Sequence, residues 1–201
     1  WWRAFETRER DNERTAIVGL WPSGVAADQP ARYEAALEKG WDPTFAKTPL
    51  WTYFDLARAH NWLLAGQPGK AWQTLEYFWK NQASPGLYTI WEGDGEENSF
   101  NLWQDIRGWA TPPHVTPHYW AASEMLHLQL DMLVHEDAQG LLIGAGVPAS
   151  WLKQDMSVTN LATRRGLVSW QWSKGALAVT LDGRPAQFRA GPAFPPSSRR
   201  E

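Results

Sequence analysis

The sequence predicts a mainly α fold of helical hairpins followed by a small antiparallel β domain. Three observations carry this. Apolar residues recur every three or four positions in two closely linked segments before residue 83, and a long apolar helix pattern runs from Thr116 to about Val134. After it the period changes to two, in short segments separated by Gly, Pro, Asn and Asp. The expected organisation is a helical-hairpin region over 1–137, a β domain over 138–190 and a disordered tail over 191–201.

Residues 1–15 are strongly polar, with Arg8-Glu9-Arg10-Asp11-Asn12-Glu13-Arg14 the pattern of a solvated face or loop. Ala16 to Trp21 is a short apolar run ended by Pro22-Ser23-Gly24, and a helix is expected at about 29 to 40. Thr48 suits an N-cap with Pro49 in the first turn, where its missing N–H costs nothing. Leu50, Phe54, Ala57 and Leu64 then share one face. Gly66 ends that helix, Pro68 opens the next, and Ala71, Trp72, Leu75, Phe78 and Trp79 continue the period to about Gln82. So short a link makes the two helices antiparallel neighbours.

From Ser84 to Thr116 there is no sustained period, apart from a possible strand at Leu87 to Trp91. A loop this long in a compact domain is usually functional or disordered, and Trp91, Phe100, Trp103, Ile106 and Trp109 argue against disorder. Thr116-Pro117 repeats the cap pairing ahead of a helix apolar on most sides, expected to be buried all round. His135-Glu136-Asp137 reads as an acidic turn. Gln139–Ala145, Met156–Leu161, Gly166–Trp172 and Ala176–Leu181 then read as strands of a meander, with Lys174-Gly175 as a hairpin turn.

Composition narrows the function. Of 201 residues, 43% are apolar and none is cysteine, which excludes a disordered or disulfide-stapled chain and removes thiol catalysis and thiolate metal sites. Nineteen Lys and Arg against 22 Asp and Glu give a net charge of −3, so no global basic field favours nucleic acid or an anionic membrane. No apolar run approaches the roughly 18 to 20 residues of a membrane span. The fifteen tryptophans are too many for core packing alone, since a buried indole also needs a partner for its N–H. Trp1 stands where Met is usual, from which a processed or partial chain is expected.

The joint "TPHYWAASEMLHLQLDMLVHEDAQGLLIGAGVPASWL", Thr116 to Leu152, has a closing helix, an acidic turn, a strand and a Gly-Val-Pro-x-x-Trp-Leu segment. It resembles the C-terminal end of the six-hairpin, (α/α)6-barrel glycosidases, the α-rhamnosidase-like and related enzymes. "YTIWEGDGEENSF", Tyr88 to Phe100, is similar to their Thr-x-Trp-Glu…Asn-Ser-Phe segment, in which the Glu after the Trp is the general base. The resemblance covers about residues 16 to 183. It implies part of an (α/α)6 toroid, hydrolysis of glycosidic bonds, an oligosaccharide or glycoside substrate, and a general acid upstream of residue 1. Gly93-Asp94 and Leu102-Trp103 depart from the family's Arg-Trp and His, which leaves the sugar open. Twelve helices need on the order of 200 residues with their loops, and 1–137 hold five or six, so the N-terminal remainder of the barrel is an expected partner.

Inverting hydrolysis needs two carboxyl groups about 6.5 to 9.5 Å apart, one as base to the attacking water and one as acid to the leaving oxygen. Glu92 is the candidate base; its bland alternative is a solvated loop acid like Asp94, Glu96 and Glu97. Asp105 and Glu124 are local fallbacks for the acid, although Glu124 is more simply explained by pairing with Arg107 or a histidine. Sugars pair C–H faces with many hydroxyls, so the candidate binding residues are Trp91, Trp103, Asp105, Arg107, Trp109, His114, His118 and Trp120. Trp51, Trp62, Trp72 and Trp79 are expected to be packing. His114 and His118 have an i, i+4 spacing, but Pro117 interrupts it and no third ligand follows; neither metal nor cofactor is expected. His60, His127 and His135 read as structural. A non-catalytic carbohydrate-binding protein is the alternative, and a lyase or phosphorylase on the same helices a third.

Overall fold

The computed structural model describes residues 17–38, 41–45, 52–81, 83–84, 89–90 and 118–196. Helices come first and small, mostly antiparallel sheets follow at the C-terminus. The chain divides into two compact units, residues 1–128 and 129–201, a division that falls within the last helix.

In the first unit, α1 (Pro30–Glu38), α2 (Thr52–Leu64) and α3 (Pro68–Asn81) precede a two-stranded ribbon of β1 (Ala83–Ser84) and β2 (Thr89–Ile90), then α4 (Tyr119–Leu133). The expected α2–α3 hairpin is present, and its link has a local cause. Gly66 takes φ +81, the Gly66 N–H donates to the Leu63 carbonyl at 3.1 Å and the Gln67 N–H to the Trp62 carbonyl at 2.8 Å. This pair of bonds satisfies the carbonyls at the end of α2 and turns the chain into Pro68. Leu56, Ala57, Ala59 and Leu63 of α2 and Ala71, Leu75 and Phe78 of α3 are buried, and the two helices pack together. The Thr48-Pro49 cap and Trp51 lie outside the described residues.

Tryptophan burial follows angle around the helix rather than composition. Trp62 is fully buried, closing a cluster of Ala26, Tyr33 and Leu37, and Lys70 Nζ sits 3.7 Å above its ring. Its indole N–H has no hydrogen-bond partner among the described residues. Trp79, expected as packing, is instead 45% exposed. The buried stripe of α3 runs through Ala71, Thr74, Leu75 and Phe78, and Trp72 and Trp79 fall one position past it, meeting edge to face at 6.0 Å.

The same geometry corrects α4. It buries Ala121, Glu124, Met125, Leu128 and Met132, a single stripe at three- and four-residue spacing, while Tyr119, Trp120, Leu126 and Leu130 are exposed. A helix apolar on every side is therefore covered here on one.

Asn61 ties the residue 17–24 turns to α2. Its Oδ1 accepts from the Leu20 N–H at 2.9 Å, the Trp21 N–H at 3.0 Å and the Tyr33 hydroxyl at 2.9 Å. Its Nδ2 donates toward the carbonyls of Ile17, Trp21 and Ala57. Burial pushes the Tyr33 phenol up to about 12, against hydrogen bonds from Gly19 and Leu20 that favour the phenolate. An unfolded tyrosine ionises near 10. Above that pH the unfolded chain holds fewer protons than the folded one, so this stabilisation is complete below pH ~10 and disappears as pH rises through about 12. Urea unfolding between pH 9 and 12 should therefore show an alkaline loss of stability that Tyr33→Phe makes shallower; equal slopes in the two proteins would refute the assignment.

The second unit holds two sheets. β5 (Met156–Thr163), β6 (Gly166–Ser173) and β7 (Ala176–Gly183) form the expected meander, and Lys174-Gly175, both at positive φ, makes its second turn. The strand expected at Gln139–Ala145 is β4 (Gly140–Ile143), and it does not join that meander. It pairs antiparallel with β3 (Val134–Asp137) and parallel with β8 (Phe188–Ala190). The acidic triplet expected as a turn is thus strand: His135 lies opposite Leu142, Glu136 opposite Leu141 and Asp137 opposite Gly140. Gly140, at φ +122, is required because a Cβ there would lie 2.3 Å from the Gln187 carbonyl oxygen.

Around Val168, Trp170 and Trp172 of β6 the core gathers Val134, Leu141, Ile143, Val147 and Phe194. Phe194 falls within the stretch expected as a disordered tail, yet it is 3% exposed and meets Trp172 edge-on at 5.4 Å. A large ring can be captured by a core even when Pro and Ser surround it in sequence. Phe194→Ala should cost about 3 to 5 kcal/mol, read by denaturant unfolding together with faster amide exchange in β6; a loss below about 1 kcal/mol would mean that Phe194 does not close this core. Residues 197–201 lie outside the described residues.

Candidate functional site

Of the candidate residues, His118 and Trp120 are described; Glu92, Trp91, Trp103, Asp105, Arg107, Trp109 and His114 lie outside the described residues. The two described ones sit at the start of α4. The His118 N–H donates to the Ile90 carbonyl at 3.0 Å, and its Nδ1 accepts the Ala121 N–H at 3.3 Å. His118 thereby serves as the N-cap of α4, two residues beyond Thr116, the expected cap. With Nδ1 accepting, the ring proton of a neutral His118 belongs on Nε2.

Ile90 is the residue before Trp91, and His118 is the residue after Pro117. Their hydrogen bond therefore brings together the two ends between which segment 91–117 runs. Trp120 stands beside this junction, 72% exposed, its ring 5.9 Å from the His118 ring and 6.3 Å from that of Tyr53.

One turn along α4 lies Glu124, 7% exposed, with both oxygens engaged. Its Oε1 is 2.8 Å from Nδ1 of fully buried His60, and Oε2 accepts the Trp21 indole N–H at 3.2 Å. A carboxylate only accepts, so the His60 proton on this side belongs to Nδ1. Trp21 also stacks on His60 at 4.4 Å and 26°, and His127 lies 6.0 Å from Trp21. Of the two partners expected for Glu124, a histidine is found in His60, and Arg107 lies outside the described residues. Burial, and after it the negative charge of Glu124, raises the Tyr53 phenol above 10, so at neutral pH it is a protonated donor.

In the other unit, His135 bonds Asp131 at 2.9 Å, and Arg165 and Arg189 pair with Glu136 and Asp137. These are partly exposed ion pairs around β3 that suit sheet anchoring. No group of three or more His, Cys, Asp or Glu among the described residues has a metal-holding arrangement. No described helix is long and apolar enough to cross a membrane.

Sequence reasoning did not single out Asn61, Tyr33 or Tyr53. The available signal for Asn61 was a polar residue inside the apolar stretch Ala59-His60-Asn61-Trp62-Leu63-Leu64, where an amide in a helix interior needs partners from elsewhere. No family model matches the chain, and neither a curated protein nor a solved structure matches it.

Proposed function

We propose that this chain is the C-terminal part of a six-hairpin (α/α)6-barrel glycoside hydrolase, acting on a glycan by inversion with Glu92 as general base. One observation carries the reading furthest. The bond from the His118 N–H to the Ile90 carbonyl holds together the described residues on either side of positions 91–117, and those positions include Glu92 and six of the eight candidate sugar contacts. The remaining two, His118 and Trp120, stand at that junction. Segments that leave and rejoin a helical scaffold suit substrate sites because the scaffold fixes where they start. The helical hairpin, α4 and the β strands after it fit the order that the resemblance implies.

Glu92 would take a proton from water on one side of the sugar, with Trp91 and Trp103 excluding bulk solvent and stacking on the ring. The general acid is assigned, by the resemblance, to a portion preceding residue 1. Glu124 is a poor substitute because His60 and Trp21 already hold its two oxygens. That same commitment of Glu124 favours the second reading, a carbohydrate-binding protein without an acid pair.

The test is a panel of aryl glycosides and neutral oligosaccharides, given to the full natural chain with hydrolysis and tryptophan quenching read in parallel. Hydrolysis lost in Glu92→Gln upholds the enzyme reading. Quenching without turnover across the panel selects the binding-protein reading instead.

A further inference from the structure

Tyr53 and Trp120 are each the second residue of their helix, α2 and α4, so two first turns place their rings together. The ring centroids are 6.3 Å apart at 57°, a tilted rather than stacked contact, and the indole is 72% exposed. His118 meets Trp120 at 65° and Phe54 meets Tyr53 at 68°, so both rings are braced from the side. Tyr53 is half-buried, and its hydroxyl remains a protonated donor. An exposed indole next to a fixed phenol matches one chemical class well. A pyranose has C–H faces of slight positive polarity that suit an aromatic face, and hydroxyls that exchange hydrogen bonds with a phenol. The negative charge of Glu124, which also raises the Tyr53 phenol, disfavours phosphate- or carboxylate-bearing ligands.

We propose that Tyr53 and Trp120 form a single subsite for a neutral sugar, the indole stacking on a pyranose C–H face and the Tyr53 hydroxyl bonding a hydroxyl of the same ring. This rests on the glycan-directed reading above. The role of the subsite is recognition, and it belongs in KM rather than kcat.

The experiment compares Tyr53→Phe, Trp120→Ala and the control Leu126→Gln, an exposed change on the same helix, in the full natural chain. Neutral gluco-, manno- and galacto-oligosaccharides serve as probes, with a uronic-acid oligosaccharide alongside. Tyr53→Phe should raise KM about 3- to 10-fold and Trp120→Ala about 5- to 50-fold, with kcat unchanged, the control silent and the uronate poorly bound. Hydrolysis with KM within twofold of the parent in both variants overturns the subsite and leaves the enzyme reading standing. Binding without turnover, weakened in both variants, upholds the subsite while the enzyme reading fails. No binding and no turnover with any probe overturns both. Tyr53→Phe keeps the ring, so it decides the matter if Trp120→Ala does not fold.

Discussion

Glu92→Gln is expected to lower kcat for glycoside hydrolysis by about 10²- to 10⁴-fold, the range that a positioned general base contributes. The substitution keeps the size and one acceptor oxygen of the side chain, so KM should change little. What disappears is the ability to accept a proton from the attacking water. The parent should also show an acidic limb in its pH–rate profile, falling as Glu92 protonates, and that limb should be absent in the variant. Unchanged turnover in a normally folded Glu92→Gln protein would end the assignment.

Asn61→Leu should destabilise the first unit by about 3 to 5 kcal/mol, a large loss for one side chain of similar volume. The reason is what it leaves behind. Leu20 and Trp21 each keep an N–H, and buried Tyr33 keeps a hydroxyl proton, with no acceptor where Oδ1 stood. The carbonyls of Ile17, Trp21 and Ala57 lose the amide that served them. Each buried orphan costs about 1 to 3 kcal/mol, moderated where relaxation lets water in. Asn61→Asp should also be costly, since it turns a donor into an acceptor facing carbonyl oxygens. Adding Tyr33→Phe to Asn61→Leu should cost less than the sum of the two changes, because it removes a group already orphaned. Strict additivity in urea unfolding would show that Asn61 and Tyr33 do not act as one unit.

The α2–α3 hairpin was legible because each of its causes is local: a 3.6-residue period, a glycine able to take positive φ, and a proline that opens the next helix. The β5–β7 meander was legible for the same reason, down to its Lys174-Gly175 turn. β3 was not, since Val134 to Asp137 becomes a strand only by pairing with β4, and β4 then pairs in parallel with β8 far along the chain. Propensity sees neither partner. Trp79 and Phe194 exchanged their expected places for a related reason: hydrophobicity is a property of the residue, while burial depends on what lies opposite it.

The candidate site divides in the same way. Residue chemistry alone marked His118 and Trp120, and it expected Glu124 to pair with a histidine. Choosing His60, 64 positions away, took the packing of α2 against α4. The pairing of Tyr53 with Trp120 likewise exists only because two helices begin side by side. The sequence by itself determined the α2–α3 hairpin and the β5–β7 meander, where glycine and proline punctuate them, and which residue types a sugar would need, because these depend on neighbours within a few positions. The tertiary structure decided which faces are covered, which carboxylate is already committed, and that Ile90 and His118 meet. Those outcomes depend on contacts between residues far apart in the chain, and no local pattern encodes them.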